Sequence, residues 1–309
     1  MNERLLLKPY EITSIFEELT SIPQNLDLIR AREVWKSAKQ GKGKTVAIID
    51  TGVDKEHPNL QKNIIGGYNF TSDNNGDILN FTDYVGHGTH VAGIIGACKC
   101  DNHKGIIGVA PKTNMLILKV IDRYGSGSHK QLIDAMNYAM DWKGPKGEKV
   151  DVINMSLGGT KPCEELHKVI KQARQRGIVL VSAAGNGGDG NKNTFEVSFP
   201  GYYKEVIQVG SVKNTLAPSL FSNTNVNIDF VAPGENVIST HLNKKFVELT
   251  GTSMASPHVA GAAALILNLI DQPNRADAPY FVYQYFLKHA RKLDYSINQV
   301  GNGLIQLTS

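Results

Sequence analysis

The chain has 309 residues, 41% of them hydrophobic and 20% charged, with a net charge of +4. This composition excludes a disordered or fibrous chain and is ample for a large buried core. The basic residues lie in separate segments, Lys42–Lys44, Lys143–Lys149 and Lys168–Arg176, so nucleic acid is not expected as a partner. Three cysteines, Cys98, Cys100 and Cys163, give no complete disulfide framework and read as reduced thiols.

In chain order, the first forty residues are rich in charge, contain Pro9 and Pro23, and show no obvious core strand. They read as an N-terminal arm. The opening MNERLLLKPYEI has a short apolar run, Leu5 to Leu7, and lacks the features of a secretory signal. The longest apolar run, Val259–Leu267, is about half a membrane span, so no membrane partner and a cytoplasmic location are expected.

Four Val/Ile/Leu-rich runs follow as buried strands: Thr45–Ile49, Met115–Val120, Val150–Met155 and Ile178–Ala183. Between them, His87–Ala97, Ser128–Trp142 and Glu164–Arg176 carry helical spacing of apolar residues. Val206–Val212 and Ile228–Thr240 are β-like, and Ser253–Ile270 reads as a long Ala-rich buried helix. Strand alternating with helix predicts an α/β fold, a parallel sheet with helices on both faces.

Four short segments carry chemistry. Asp50 directly follows an apolar strand, where α/β sites form at the carboxyl edge of the sheet, although turn and capping aspartates are common there. His87 lies in Gly86-His87-Gly88-Thr89-His90, whose glycines permit close approach of another element; His90, one turn further on, reads as an inward-facing structural histidine. Ser253, in Gly251-Thr252-Ser253-Met254-Ala255-Ser256-Pro257-His258, opens the Ala-rich helix, where unpaired N–H groups favour developing negative charge. Asn186, in Ala183-Ala184-Gly185-Asn186-Gly187, follows another strand and offers an amide donor. A serine hydroxyl needs a base, and a base needs an orienting acid. The three appear together in one chain.

The order Asp, His, Ser, with the segments DTG, GHGTHVAG, AAGN and GTSMASPHVAG, resembles the subtilisins from about Ile29 to the C-terminus. The resemblance implies a three-layer sandwich with a mostly parallel central sheet and a serine endopeptidase of broad specificity acting on protein and peptide substrates. By motif, Asp50 orients, His87 is the base, Ser253 attacks and Asn186 donates to the oxyanion. Gly125, Ser126 and Gly127 resemble one substrate-pairing strand and Ser156, Leu157 and Gly158 the other. His129, where secreted members usually have Tyr, and Leu132 border a pocket four residues before the cut.

Trp142–Glu148, Gly187-Gly188-Asp189-Gly190, Asn223-Thr224-Asn225 and Gly301-Asn302-Gly303 are similar to the intracellular subtilisins of Bacillus-type bacteria. In that branch a Leu-Ile-Pro-Tyr motif crosses and blocks the active site; Leu7-Lys8-Pro9-Tyr10 matches it with Lys8 departing, so Leu7, Pro9 and Tyr10 are the candidate inhibitory residues. The expected division is an inhibitory arm over 1–20, removed between Leu19 and Ser21, and a catalytic domain over 21–309. The resemblance also implies structural Ca²⁺ near the Cys98–Ile107 loop, with Asn59, Asp101 and Asn102 as oxygen ligands, Asn59 standing where the family has a carboxylate. It implies a homodimer through a C-terminal tail, which the ending Gln306-Leu307-Thr308-Ser309 shortens. An inactive binding protein, a lipase or esterase and a metal hydrolase built on His87 and His90 are the alternatives; the intact set of four and the absent Gly-x-Ser-x-Gly elbow oppose the first two.

Overall fold

A computed structural model describes residues 4–7, 12–19, 23–99, 105–270 and 274–309. Its strands in chain order are β1 (Arg4–Leu6), β2 (Ile12–Phe16), β3 (Thr45–Asp50), β4 (Ile64–Asn69), β5 (Asn114–Lys119) and β6 (Ser126–Ser128). They continue as β7 (Val152–Met155), β8 (Val179–Ala183), β9 (Ile207–Val212), β10 (Phe230–Pro233), β11 (Val237–Thr240) and β12 (Phe246–Leu249). The principal helices are α1 (His87–Gly96), α2 (His129–Asp141), α3 (Glu164–Gln175), α4 (Thr252–Ile266) and α5 (Ala278–His289).

Seven strands form the central sheet in the order β10-β9-β8-β7-β3-β5-β4, and each adjacent pair is parallel. The strand sequences do not alternate because both faces are covered, and successive residues feed opposite cores. Val46 and Ile48 of β3 belong to one hydrophobic cluster with α1 and α4 residues such as Val91, Ile95 and Val259. Ala47 and Ile49 belong to the other, with Leu132 and Met136 of α2 and Leu166 and Ile170 of α3. This is the three-layer subtilisin-like sandwich expected from the sequence. Each buried Ile or Val in such a layer contributes about 1.5–3 kcal/mol of transfer free energy.

The strand order reverses around β3: the chain passes to β4 and β5 on one side and to β7 and β8 on the other. The carboxyl end of β3 is therefore a switch point, where open α/β sheets form their clefts. Three elements differ from the sequence expectation. Edge strand β4 contains Gly66 and Gly67, which weaken a strand pattern, and α4 ends at Ile266 rather than Ile270. The arm, whose sequence shows no obvious core strand, supplies two edge strands. β2 joins β11 and β12 in a small antiparallel sheet, and β1 pairs with β6. Their signal was hidden because arm strands bury only part of their surface and take their order from the domain edges they pair with.

Lys119, at the end of β5 and opposite Asp50 in the register, is fully buried. Its ammonium donates to Thr51 O at 2.7 Å and Ile121 O at 3.0 Å and pairs with Asp73 Oδ2 at 3.1 Å. An ammonium has three donors, and all three are satisfied. Asp73 is also held by Arg123 through its backbone N–H and its Nε. The pair ties the turn after Asp50 to the chain leading into β6. Lys119→Met leaves two carbonyls and part of a carboxylate buried without their donor, so the expected loss is about 3–5 kcal/mol of unfolding free energy, read by urea denaturation.

Candidate active site

Asp50 ends β3 at 1% exposure, and its Oδ1 accepts from the Thr51 N–H at 2.8 Å and from His87 Nδ1 at 2.7 Å. His87 opens α1, whose Gly86 before it has φ of 95°, a left-handed conformation that glycine reaches without strain. Gly88 is needed for a different reason: a Cβ there would strike the Gly52 carbonyl and crowd Thr51 and Asp50. Its N–H donates to Thr51 Oγ1 at 2.8 Å. The glycines on either side of His87 thus let the helix start press directly on the Asp50 turn.

A carboxylate only accepts, so His87 Nδ1 carries the proton of that bond and the neutral ring presents Nε2 as an acceptor. Burial opposes the charged form of His87, but the charge and hydrogen bond of Asp50, with the charge of Asp83 behind them, raise its pKa above the ordinary 6.5. Other buried histidines behave oppositely. Burial lowers His90 to about 3, its Nε2 donating toward Val237 O and Val247 O at 3.0 and 3.2 Å. Burial lowers His258 to about 4, with Nδ1 2.8 Å from Met254 O. His90 is the inward structural histidine anticipated from its place on the helix.

Ser253 lies in the first turn of α4 and shares a cavity with His87, Asn186, Leu157 and Leu7. Its hydroxyl donates to Ser156 O at 3.1 Å. Asn186 is oriented by donors that fix its identity: Thr252 N–H and Oγ1 reach Asn186 Oδ1 at 2.9 and 2.7 Å. A backbone N–H must face oxygen, so the other end of the amide is the NH₂ group. That nitrogen lies 3.1 Å from where a Cβ on Gly251 would stand, which explains a glycine immediately before the serine turn. The arrangement provides an acid–imidazole pair, a hydroxyl and an amide donor around one cavity.

The two glycine-containing segments separate in role. Gly125 to Gly127 form an edge, and a Cβ on Gly127 would collide with Val120 O and Ile121. β1 occupies this edge antiparallel, Leu5 opposite Gly127 and Leu6 opposite Ser126, and Leu7 N–H donates to Gly125 O at 3.1 Å. Ser156 and Gly158 line the cavity, but the Ser156 side chain is buried, bonded to Ser253 O at 3.0 Å and Ser256 Oγ at 2.8 Å. Leu132 is fully buried and belongs to the same large apolar cluster as Leu157 and Leu5, while His129 is half-buried at the start of α2.

Sequence reading missed Leu5, which is fully buried; the alternation of Leu5 and Leu7 across a strand was the available signal. It also missed Asp83, visible as an acid four residues before His87 at a helix start. Pro9, Tyr10, Asp101 and Asn102 lie outside the described residues. Asn59 is buried; its Nδ2 donates to Cys98 O at 2.8 Å, and its amide oxygen faces Gly105. Of the three expected ligands only Asn59 lies among the described residues, and its amide nitrogen is bound at Cys98 where the loop begins. Among the described residues no group of three or more His, Cys, Asp or Glu is arranged to hold a metal.

The model of the subtilase family matches residues 41–303. The chain belongs to the subtilase family. It is 44% identical over its whole length to the Major intracellular serine protease of Bacillus subtilis (strain 168), covering 95% of that protein. It is 42% identical, again over its whole length, to the Intracellular serine protease of Paenibacillus polymyxa, covering 92% of it. Subtilisin DY of Bacillus licheniformis is 41% identical over 80% of this chain and 85% of its own. This subtilase is a serine-type endopeptidase.

Among His57, His87, His90, His241 and His258, only His87 is expected to titrate above 6.5. Nitrogen-15 NMR of the imidazoles, followed with pH, measures this directly. A His87 ring already neutral below 6.5 contradicts the electrostatics described.

Proposed function

We propose that this subtilase is an intracellular endopeptidase that hydrolyses cytoplasmic proteins with broad specificity, using Asp50, His87 and Ser253 as its triad. The observation that carries the reading is the buried 2.7 Å His87–Asp50 bond beside a serine in the first turn of α4 and on the same cavity. In the reaction Ser253 Oγ turns from Ser156 O, gives its proton to His87 Nε2 and attacks the scissile carbonyl. Asp50 holds the ring in the required tautomer and stabilises the imidazolium. The tetrahedral oxyanion receives hydrogen bonds from Asn186 Nδ2 and the Ser253 backbone N–H, aided by the positive end of α4. His87 then protonates the leaving amine, and water repeats the sequence on the acyl-enzyme. A fluorophosphonate is expected to label wild-type protein at Ser253 and leave Ser253→Ala unlabelled, the label being located by peptide mass spectrometry. Labelling that survives in Ser253→Ala sinks the assignment.

Substrate binds as an added strand on Gly125–Gly127, through backbone hydrogen bonds that are indifferent to sequence, with Ser156–Gly158 as the opposite wall. Residues 1–20 are read as an inhibitory arm and 21–309 as the catalytic domain. Support comes from β1, which takes the edge that substrate needs, with Leu5 buried in the apolar cluster that includes Leu132 and Leu157, and Leu7 on the cavity of His87 and Ser253. Pro9, which lies outside the described residues, has no N–H for strand pairing and a fixed φ, chemistry suited to bending an arm away from Ser253. A chain starting near Ser21 is expected to cut a peptide substrate at least tenfold faster than the full chain. Equal rates exclude inhibition by the arm.

The intracellular assignment rests on the names of the two full-length relatives. No helix among the described residues is long and apolar enough to cross a membrane. Calcium belongs to the proposal as a structural ion at the 98–107 loop, where Asn59 would offer its amide oxygen; when bound it would brace the loop rather than take part in the reaction. A chelator is then expected to lower the melting temperature by several degrees, which for a chain of this length corresponds to about 2 kcal/mol or more. Homodimerisation remains part of the family-based proposal, and sedimentation tests it.

A further inference from the structure

Asp83 is 3% exposed, and its carboxylate is fully engaged. Oδ1 accepts from the Val85 and Gly86 N–H groups, both at 2.9 Å. Oδ2 accepts from the Thr89 N–H at 3.0 Å and from the Thr89 hydroxyl at 2.7 Å. Gly86, the residue preceding α1, has no side chain to cap the helix, so Asp83 supplies that cap from three residues upstream. Its own N–H donates to Val53 O at 3.2 Å, and Val53 N–H donates to Phe81 O, so the loop is strapped to the turn that follows Asp50. The Thr89 hydroxyl also accepts from Asp54 N–H at 2.9 Å on that turn. One carboxylate therefore fixes both sides of the contact at which His87 meets Asp50.

We propose that Asp83 is a positioning residue for His87: its buried carboxylate holds the first turn of α1 in place and presents a second fixed negative charge to the imidazole. Asp50 faces the ring from β3, and Ser253 shares its cavity from α4. His90 lies on the same helix, His241 packs over Gly86, and the Lys119 ammonium is bound at Thr51 O. Of these groups only Asp50 and Asp83 bring negative charge, and burial leaves His90 and His241 neutral at pH 7, since it lowers both pKa values. Asp83 and His87 are both almost fully buried, so the charge of Asp83 is weakly screened. It favours the imidazolium that forms when the serine is deprotonated, in the same sense as the raised pKa of His87.

The inference rests on the triad assigned above, and its test is chosen to fail separately from it. The full chain carrying Ser253→Ala, which cannot cut itself, is compared with the same chain also carrying Asp83→Asn, by NMR titration of His87. Asn keeps the size but removes the charge, so His87 is expected to titrate lower by about half a pH unit or more. A folded Asp83→Asn chain with an unmoved His87 titration overturns the proposal. Thr89→Val, in the full chain with Ser253 intact, removes the hydroxyl's bond to the Asp83 carboxylate and the one it accepts from the Asp54 N–H, without changing any charge. It is expected to lower kcat by about threefold or more with KM held, the scale of part of one hydrogen bond to a charged group. Unchanged kcat in that variant overturns the proposal even where Asp83→Asn does not fold. If a fluorophosphonate fails to label wild-type Ser253, the triad reading falls; if it labels and His87 does not shift, only the role of Asp83 falls.

Discussion

A carboxylate at 1% exposure is tolerated at the end of a central strand only when its charge is met by close donors. Asp50 receives the Thr51 N–H and the imidazole N–H of His87, and those two bonds organise what surrounds it. The imidazole can reach Asp50 only because Gly88 carries no side chain against the Gly52 carbonyl. The turn can hold its shape because the Lys119 ammonium ties its Thr51 carbonyl to Asp73. The glycines, the buried lysine and Asp83 are thus related consequences of placing one ion pair-like contact where water cannot reach it.

The rest of the site follows from where the sheet ends. Asp50 closes β3, Asn186 lies just beyond β8 and Ser253 opens α4, which packs in the core on one face of the same sheet. Each functional group therefore hangs from an element whose position is set by two-sided apolar burial. The side chains themselves are fixed by short polar contacts: Thr252 to Asn186, Ser253 to Ser156, Ser156 to Ser256. On the proposed reading, this rigid frame with local polar latches keeps the triad within the small tolerances that acyl transfer requires.

The edge at Gly125–Gly127 shows how little sequence information a backbone-pairing surface carries. Any extended segment with apolar residues at alternate positions meets its hydrogen-bonding needs, and β1 does so with Leu5 buried and Leu7 at the cavity. A strand-adding site is by nature open to the chain's own termini. On the proposed reading the arm exploits that openness, and β2, paired to β12, holds it to the domain at a second edge.

The strands Thr45–Ile49, Met115–Val120, Val150–Met155 and Ile178–Ala183 were legible by themselves because burial on both faces demands unbroken apolar runs. The helices that cover them were legible from 3.6-residue spacing, and the site segments from polar residues set among glycines and apolar residues. The family likewise follows from the motifs alone. Tertiary structure decided what no local pattern encodes: that β1 and β2 are strands, since partly exposed edge strands take their pairing from the domain. It decided that Leu5 is a buried anchor, that Asn186 turns its NH₂ toward Gly251, and that Asp83 and Lys119 both brace the Asp50 turn. Those facts depend on contacts between residues far apart in the chain, and periodicity reports only on a residue's own element. The sequence determined which groups are present; the packing of β3 against α1 determined that Asp50 and His87 meet at 2.7 Å in a place shut off from water.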